Sequence, residues 1–408
     1  MRYLPEFGYQ ATVLTTSAFG KVSDAGIVGA WEPLSLYRRL LNKDARGRQT
    51  PSYVRTDSGR LARLIHLLRR NVLIPDAQIT WMPAALWRAL RHLRQAPTDL
   101  LFSTFPPASS HLLALILKRL LGTPWVADFR DAWTFDPLDP ALVESPFRGK
   151  TERHLEAAVL RGADLVVTST EISADYFRET YPESVDTIAV VANGFDPLDF
   201  PPVAQPEAGG PLRIVHTGSF ALSHEARSPR TIFGALECLL GTDSSWADKL
   251  ELGLYGQLSD PEQRQAKPLC DSGIVKLHGR CPRDRVLRAQ QTADLLLLVD
   301  HPRSGPASNV PTKLYEYLAA GRPILAICDT GMVTRLLERT GAGVRVPHGD
   351  IQGVIAALVE TYHRRGNRAP TPRSALHPYH RRVLTQQLAG HFDRVLAGRP
   401  PAQVPLSR

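Results

Sequence analysis

The sequence predicts an α/β protein built from two Rossmann-like domains, and three observations carry that prediction. Short apolar segments typical of buried parallel strands alternate with helical segments in both halves of the chain. A Pro- and Gly-rich stretch at residues 201–211 separates the halves and is typical of a linker. A length of 408 residues suits two domains that each bury a core of their own.

The composition narrows the class of protein. Hydrophobic residues make up 43% and charged residues 22% of the chain, which is typical of globular proteins. No apolar run reaches the ~20 residues that a membrane-spanning helix needs, and the first residues do not have a signal-peptide pattern. The four cysteines show no metal-ligand spacing and are interpreted as reduced thiols. We therefore expect a cytoplasmic protein.

Positive charge is concentrated at the start of the chain. The net charge is +9, and residues 1–125 hold 17 Lys and Arg against 7 Asp and Glu, whereas residues 126–200 hold 6 against 15. Nucleic acid and an anionic membrane surface are the usual partners of such a basic block. Because no nucleic-acid-binding module is recognisable, we expect no nucleic-acid partner.

Residues 60–95 hold most of this basic character. The pattern predicts two amphipathic helices around Pro75 and Asp76, with leucines and tryptophans on the opposite faces. The segment contains seven arginines: Arg60, Arg63, Arg69, Arg70, Arg88, Arg91 and Arg94. Two interpretations are open. The arginines, with Trp81 or Trp87, contact an anionic membrane, or the apolar faces pack on the sheet and the arginines are only solvated.

The N-terminal half is predicted to be a parallel sheet with crossover helices. Predicted strands cover residues 10–15, 99–104, 124–129, 163–170 and 187–192, and residues 20–58 show no clear period. Asp128, Arg130 and Asp131 come at the end of one strand. Because parallel sheets bind ligands at the carboxyl ends of their strands, these three are candidate polar site residues. The alternative is an Asp–Arg ion pair that only braces the loop.

The C-terminal half is predicted to be a more complete Rossmann-like domain. Its strands are expected within residues 212–220, 250–256, 274–280, 293–300 and 323–328, with a further strand near residue 345. The first of these strands leads into Gly218 and Ser219. Backbone N–H groups at such a turn can face a phosphate.

Residues 309–327 are the stretch around which this half is organised. Pro311 favours a helix start, whereas Gly321 and Pro323 end the helix before a short apolar strand. Lys313 and Glu316 lie three residues apart, on one face of that helix. A helix N-terminus with a lysine attracts phosphate, and a carboxylate can accept two hydrogen bonds from a vicinal diol. The pattern suits a nucleotide diphosphate with its ribose; an ordinary exposed Lys–Glu pair is the alternative.

Two segments carry a resemblance to a known family. Residues 314–327 (LYEYLAAGRPILAI) and 128–133 (DFRDAW) resemble the glycosyltransferases of the GT-B fold, family 4. The resemblance implies two Rossmann-like domains facing across a cleft, with a C-terminal helix crossing back to the N-terminal domain. We accordingly expect an acceptor-side domain at 1–204 and a nucleotide-sugar-binding domain at 205–378. Residues 379–408 would form the crossing helix and a disordered tail.

The resemblance also implies roles for donor-side residues. Glu316 matches the glutamate that binds the donor ribose. Gly218 and Ser219 would face the donor diphosphate, and His278 with Gly279 would lie where the backbone reads the nucleobase.

The basic residues of this half would neutralise the leaving diphosphate. Among them we rank Arg227 first with Lys313 beside it, and Arg230 below them, since surface exposure is an equal alternative for Arg230. We take Arg227, Lys313 and Asp131 as candidate catalytic residues. Asp128 and Arg130 are the acceptor-side candidates.

The chain departs from the family pattern at two places. Ser308 stands where the family has the first of two glutamates, so this chain lacks the carboxylate that contacts the donor sugar in the family. The strand, Gly-rich loop and helix that begin the family's N-terminal domain have no counterpart before the segment at 10–15. We expect that a unit on the order of 30 residues is missing there.

The function implied by the resemblance is that of a retaining, metal-independent hexosyltransferase. It would use a nucleotide-sugar donor and no cofactor, and its acceptor would be a sugar or a lipid-linked sugar. The setting would be bacterial surface polysaccharide or glycolipid synthesis at the inner face of the plasma membrane. A catalytically weak scaffold and a non-hydrolysing sugar-nucleotide epimerase are the alternatives.

Overall fold

The computed structural model describes residues 2–17, 26–33, 72–135, 145–202, 209–303, 307–365 and 372–398. The chain forms two compact units, residues 1–192 with 385–408 and residues 193–384. The division at 192 comes earlier in the chain than the predicted boundary near 205, so residues 193–202 belong to the second unit. No helix in the described parts of the chain is both long and apolar enough to cross a bilayer.

The first unit contains a four-stranded parallel sheet in the order β3-β4-β5-β6. These strands are Leu101–Phe105, Trp125–Phe129, Leu165–Thr168 and Ile188–Val190, each at a predicted position. A separate parallel pair is formed by β1, Val13–Thr16, and β2, Ile27–Ala30. The sequence analysis missed β2 because four residues offer too short a pattern to show a period. The helices are Met82–Gln95, Ala108–Leu121, Pro146–Gly162, Glu171–Thr180 and the later part of Arg381–Leu396.

Both faces of this sheet are covered. On one face Trp125 and Phe129 pack with Leu160 of the helix Pro146–Gly162 and are fully buried. On the other face Val126 and Val167 pack with Phe392 of the C-terminal helix. Alternate residues of β4 therefore face opposite layers, as a strand requires.

Only part of the basic segment 60–95 can be compared with its prediction. The second amphipathic helix is present at Met82–Gln95, after a 3-10 turn at Ala77–Trp81. The predicted first helix, with Arg60, Arg63, Arg69 and Arg70, lies outside the described residues.

The second unit contains a six-stranded parallel sheet in the order β12-β11-β10-β7-β8-β9. The strands are Leu212–Thr217, Leu250–Tyr255, Val275–Leu277, Leu295–Val299, Ile324–Ile327 and Gly343–Val346, numbered β7 to β12 in chain order. This is the doubly wound Rossmann order, and its topological switch point lies between β7 and β10. Such sheets bind ligands outside the carboxyl ends of the two strands at that point.

Helices surround this second sheet. They are Arg230–Thr242, Trp246–Lys249, Asp260–Asp271, Arg283–Thr292, Thr312–Ala320, Met332–Thr340, Ile351–His363 and Arg373–Leu376. Every residue of β10 is buried, as its run of leucines predicts. The predicted helix in 309–327 is confirmed: it begins directly after Pro311 and ends at Gly321, whose φ of 67° is left-handed.

Candidate active site

The switch point of the second unit brings a glycine and a lysine together. Gly218 follows β7, is exposed, and has a φ of 99°. A Cβ on this glycine would lie 3.0 Å from Lys313 Nζ. Burial, followed by the nearby Arg227 charge, lowers the pKa of Lys313 to about 7. The Gly218 N–H donates to the Tyr255 carbonyl at 2.8 Å, so it is not available to a phosphate as predicted, but the exposed Gly218 backbone lies beside the Lys313 amine.

A buried carboxylate, Asp300, organises the basic residues around this lysine. It directly follows β10, and its side chain is 1% exposed. Arg227 Nη2 donates to Asp300 Oδ1 at 3.1 Å, and Arg303 Nη1 donates to Asp300 Oδ2 at 2.7 Å. His301 Nδ1 lies 3.1 Å from Asp300 Oδ1.

The charge state of Asp300 follows from these contacts. Burial by itself would raise the pKa of Asp300, but the His301 contact and the charges of Arg303 and Arg227 outweigh it. The pKa of Asp300 is therefore below its usual range. Asp300 pairs with two arginines, Arg227 and Arg303, and the Lys313 amine is near enough for the Arg227 and Asp300 charges to shift its pKa, so the cluster has surplus positive charge and favours an anion.

Arg303 and Asp300 are site residues that the sequence analysis missed. Both lie in residues 300–308, which come after β10 and before the helix Thr312–Ala320. A basic and an acidic residue three apart directly after β10 were the available signal.

Arg230 and Ser219 are placed differently from Arg227. Arg230 is exposed at the first residue of the helix Arg230–Thr242. The Ser219 carbonyl accepts a 2.6 Å hydrogen bond from Ser223 Oγ, and Ser223 Oγ in turn accepts one of 2.8 Å from Arg227 Nη1. The loop after β7 therefore holds Arg227 from one side while Asp300 holds it from the other.

Glu316 is held by two donors. Arg283 Nη1, from an exposed side chain, donates to Glu316 Oε1 at 2.8 Å. Gln290 Nε2, which is fully buried, donates to Glu316 Oε2 at 3.3 Å. The Glu316 side chain remains 18% exposed, so it is reachable from solvent. Neither donor was predicted from the sequence.

The predicted nucleobase residues follow β9. The His278 ring stacks on Tyr255, with 4.1 Å between the ring centroids, and both residues are half-buried. Burial, with the neighbouring Arg285 charge, lowers the pKa of His278. Gly279 has a φ of 62°, a conformation that favours glycine.

The loop before the helix Thr312–Ala320 contains two buried polar residues. Ser308, at the position of the family's first glutamate, is fully buried, and Asn309 is 8% exposed. In the described part of the chain, neither polar atom of the Asn309 side chain has a hydrogen-bond partner.

In the first unit, the acceptor-side candidates lie at the carboxyl end of β4. Asp128 Oδ2 accepts a 2.8 Å hydrogen bond from Thr104 Oγ1, and burial raises the pKa of Asp128 to about 6. Arg130 is exposed and donates to the Pro106 carbonyl at 3.4 Å, and Asp131 is half-buried.

The loop that carries Asp131 is anchored by carboxylates that the sequence analysis did not single out. Trp133 Nε1 donates to Glu152 Oε2 at 2.8 Å, and Thr134 Oγ1 donates to Glu156 Oε2 at 2.7 Å. Both glutamates are buried on the helix Pro146–Gly162. This helix therefore fixes the loop after β4.

Comparison with known proteins gives a consistent result. Residues 1–194 match the family model described as a glycosyl transferase 4-like domain. A search of curated protein sequences gives no match. Among solved structures, the chain is similar to sucrose-phosphate synthase from Thermosynechococcus elongatus, at 15% identity over 96% of this chain and 100% of that chain, with a TM-score of 0.59.

Two further structures are similar over somewhat less of the chain. One is α,α-trehalose 6-phosphate synthase from Burkholderia multivorans, at 12% identity over 80% of this chain and 78% of that chain, with a TM-score of 0.54. The other is a glycosyltransferase from Rickettsia africae, at 12% identity over 76% of this chain and 80% of that chain, with a TM-score of 0.53. Residues 1–194 therefore match the glycosyl transferase 4-like domain model, and the chain as a whole has the GT-B fold of glycosyltransferases.

Proposed function

We propose that this protein is a retaining glycosyltransferase that takes its sugar from a nucleotide-sugar donor bound by the second unit. The observation that carries the proposal is the pairing of Arg227 and Arg303 with one buried carboxylate, Asp300, beside the Lys313 amine, whose pKa responds to the Arg227 and Asp300 charges. Their surplus of positive charge suits a diphosphate. Glu316 lies on the same helix face as Lys313, which suits the ribose of the same donor.

The proposed chemistry needs charge stabilisation more than a protein base. The bond between the anomeric carbon and the donor phosphate oxygen breaks, and the departing diphosphate gains negative charge. Arg227 and Lys313 would stabilise that charge. The acceptor hydroxyl would attack on the same face of the sugar and pass its proton to a donor phosphate oxygen. This scheme uses no metal and no cofactor.

The acceptor is proposed to be a sugar or a lipid-linked sugar of bacterial surface polysaccharide or glycolipid synthesis. The support is the resemblance at residues 128–133, where Asp128, Arg130 and Asp131 are the candidate contacts. We also propose a peripheral position on the cytoplasmic face of the membrane. Arg88, Arg91 and Arg94 on the helix Met82–Gln95 are the described part of the basic surface that supports it.

Thermal unfolding in the presence of UDP, GDP, dTDP and ADP tests the donor site. A ligand at ~100 times its Kd adds about 2.7 kcal/mol to stability, which is readily measured. We expect one of these nucleotides to stabilise the wild type but not Glu316→Ala. The control is Glu338→Ala, which should be stabilised like the wild type because Glu338 is exposed on another helix, Met332–Thr340. If no nucleotide stabilises the wild type, the transferase proposal fails.

The scaffold alternative has one specific observation in its favour. Ser308 replaces a family glutamate and is fully buried, so it offers the donor sugar no carboxylate. A protein that binds the nucleotide but transfers no sugar to any acceptor would fit that alternative. Sugar-nucleotide conversion without an acceptor would instead indicate an epimerase.

A further inference from the structure

A buried hydrogen-bond chain runs from the sheet of the second unit to Glu316. The Tyr317 hydroxyl donates to the Leu297 carbonyl at 3.2 Å and accepts from the Thr217 N–H at 3.0 Å. Thr217 Oγ1 lies 3.2 Å from the Tyr317 hydroxyl and accepts from Gln290 Nε2 at 3.1 Å. The same Nε2 lies 3.3 Å from Glu316 Oε2. The chain thus ends on the candidate ribose carboxylate.

The direction of every bond in this chain is set by proton counting. Tyr317 has one hydroxyl proton, which it donates in the hydrogen bond to the Leu297 carbonyl. Thr217 Oγ1 therefore donates to Tyr317 and has lone pairs left for Gln290. The two N–H groups of the Gln290 amide then donate to Thr217 Oγ1 and Glu316 Oε2, because an ionised carboxylate can only accept hydrogen bonds. The reversed amide would place a carbonyl oxygen against the carboxylate.

The other end of the Gln290 amide has no such partner. Gln290 is fully buried, and its Oε1 has no hydrogen-bond partner in the described part of the chain. A buried amide oxygen without a partner destabilises a fold. A side chain of similar size without polar atoms would avoid that loss. Gln290 is therefore a poor choice for stability alone.

We propose that Gln290 is a positioning residue for Glu316 and thereby sets the protein's preference for ribose over sugars that lack its hydroxyls. The buried amide fixes Oε2, whereas the exposed Arg283 holds Oε1. A carboxylate has about four lone-pair sites, so Glu316 keeps sites for both ribose hydroxyls while Gln290 and Arg283 occupy one site each. This inference rests on the proposed function, since it deepens the role of Glu316 in that site.

The test compares two probes across four proteins. The probes are the ribonucleoside diphosphate among UDP, GDP and ADP that stabilises the wild type most, and its 2′,3′-dideoxy counterpart. The proteins are wild type, Glu316→Ala, Gln290→Met and the matched control Gln291→Met, which makes the same change at the next residue. The measured quantity is the Kd of the dideoxy probe divided by the Kd of the ribose probe.

We expect Gln290→Met to lower this ratio roughly tenfold by weakening only ribose binding, since hydrogen bonds to charged groups are the stronger class. Gln291→Met should keep the wild-type ratio, and Glu316→Ala should bring the ratio near one. A fifth protein, the double variant of Glu316→Ala and Gln290→Met, should bind the ribose probe no more weakly than Glu316→Ala alone, because both substitutions act through one carboxylate. The melting temperature of Gln290→Met should equal or exceed that of the wild type.

Three results would overturn the inference. The Kd ratio of Gln290→Met could equal that of the wild type while the ratio of Glu316→Ala falls to one. In that case the donor proposal stands and the role of Gln290 does not. Gln290→Met could weaken both probes equally or fail to fold, which would make Gln290 a structural residue. If the wild type binds neither probe, the proposed function falls and the inference falls with it.

Discussion

Lys313 Nζ lies 3.0 Å from the place that a Cβ on Gly218 would occupy. Only glycine lets the exposed loop after β7 adopt a φ of 99° this close to a partly buried amine. A ligand that reaches the Gly218 backbone therefore also reaches a basic side chain.

Gly218→Ala should damage diphosphate binding as well as stability. The new methyl group strains the backbone by about 1–2 kcal/mol and displaces the Lys313 amine. We expect a roughly tenfold higher Kd for the nucleotide, measured by titration calorimetry, beside lower stability in urea. Gly273→Ala is the control, because Gly273 has a similar φ of 85° but open space around its Cβ. Equal binding losses in both variants would contradict the prediction.

Diphosphate affinity should fall as the pH rises above neutrality. Burial lowers the pKa of Lys313 to about 7, so the free protein loses the Lys313 proton at higher pH while an anion favours keeping it. Binding then takes up a proton, and the Kd should rise by up to about tenfold per pH unit above pH 7. Lys313→Met should bind weakly without this slope, and Arg230→Met should keep it. A pH-independent wild-type Kd would refute the pKa argument.

The same pKa shift has a consequence for the unliganded fold. Between about 7 and the ordinary value of 10.5, Lys313 holds fewer protons when folded than when unfolded. Its contribution to the free energy of unfolding should therefore rise with pH through that window. Urea denaturation of wild type and Lys313→Met across these pH values measures the difference.

Asp300→Asn should destabilise the second unit and increase its response to anions. The substitution leaves the guanidinium groups of Arg227 and Arg303, which are 13% and 10% exposed, without their carboxylate. Breaking such a buried pair costs about 3 kcal/mol. Added pyrophosphate should restore more stability to Asp300→Asn than to wild type. The exposed pair of Asp243 and Lys249 supplies the control, Asp243→Asn, which should change little.

Glu156 should make the first unit less stable as the pH rises. Burial raises the pKa of Glu156 to about 7, despite hydrogen bonds from Thr134 and Tyr181. The folded state then binds more protons than the unfolded state between 4.5 and about 7, so stability is lost through this window. Glu156→Gln should remove that loss in thermal unfolding at pH values on both sides of it, whereas Glu183→Gln, an exposed control, should retain it.

Membrane binding, if it uses the helix Met82–Gln95, should depend on Trp87 and not on Trp81. Trp87 is 58% exposed, with Arg91 at 5.7 Å from its ring centroid. Trp81 is 7% exposed and packs with Ala85. The interpretation of Trp81 as a membrane contact is therefore wrong, because its side chain is buried. Trp87→Ala with Arg91→Glu should reduce sedimentation with phosphatidylglycerol vesicles but not alter the low binding to phosphatidylcholine. Unchanged sedimentation would remove this helix as the contact.

Several elements could be predicted because their signals are local. Pro311 and Gly321 delimit one helix, and the leucines of β10 mark a buried strand within five residues. Lys313 and Glu316 share a helix face because of their spacing alone. By contrast, the four-residue strand β2 is stabilised by pairing with β1, and the sequence Ile27–Ala30 has no hydrophobic periodicity that would predict a strand.

The sequence by itself determined the strands of the two main sheets, the two Rossmann-like halves and the helix that carries Lys313 and Glu316, because caps, turns and apolar runs act over a few residues. Only the tertiary structure decided which side chains meet at the ends of the strands. Arg227 and Asp300 are 73 residues apart, and Gln290 and Glu316 are 26 apart. The first pair forms because a doubly wound sheet places the ends of β7 and β10 side by side. The second forms because the helices Arg283–Thr292 and Thr312–Ala320 pack against each other. Both neighbourhoods depend on packing across the whole sheet.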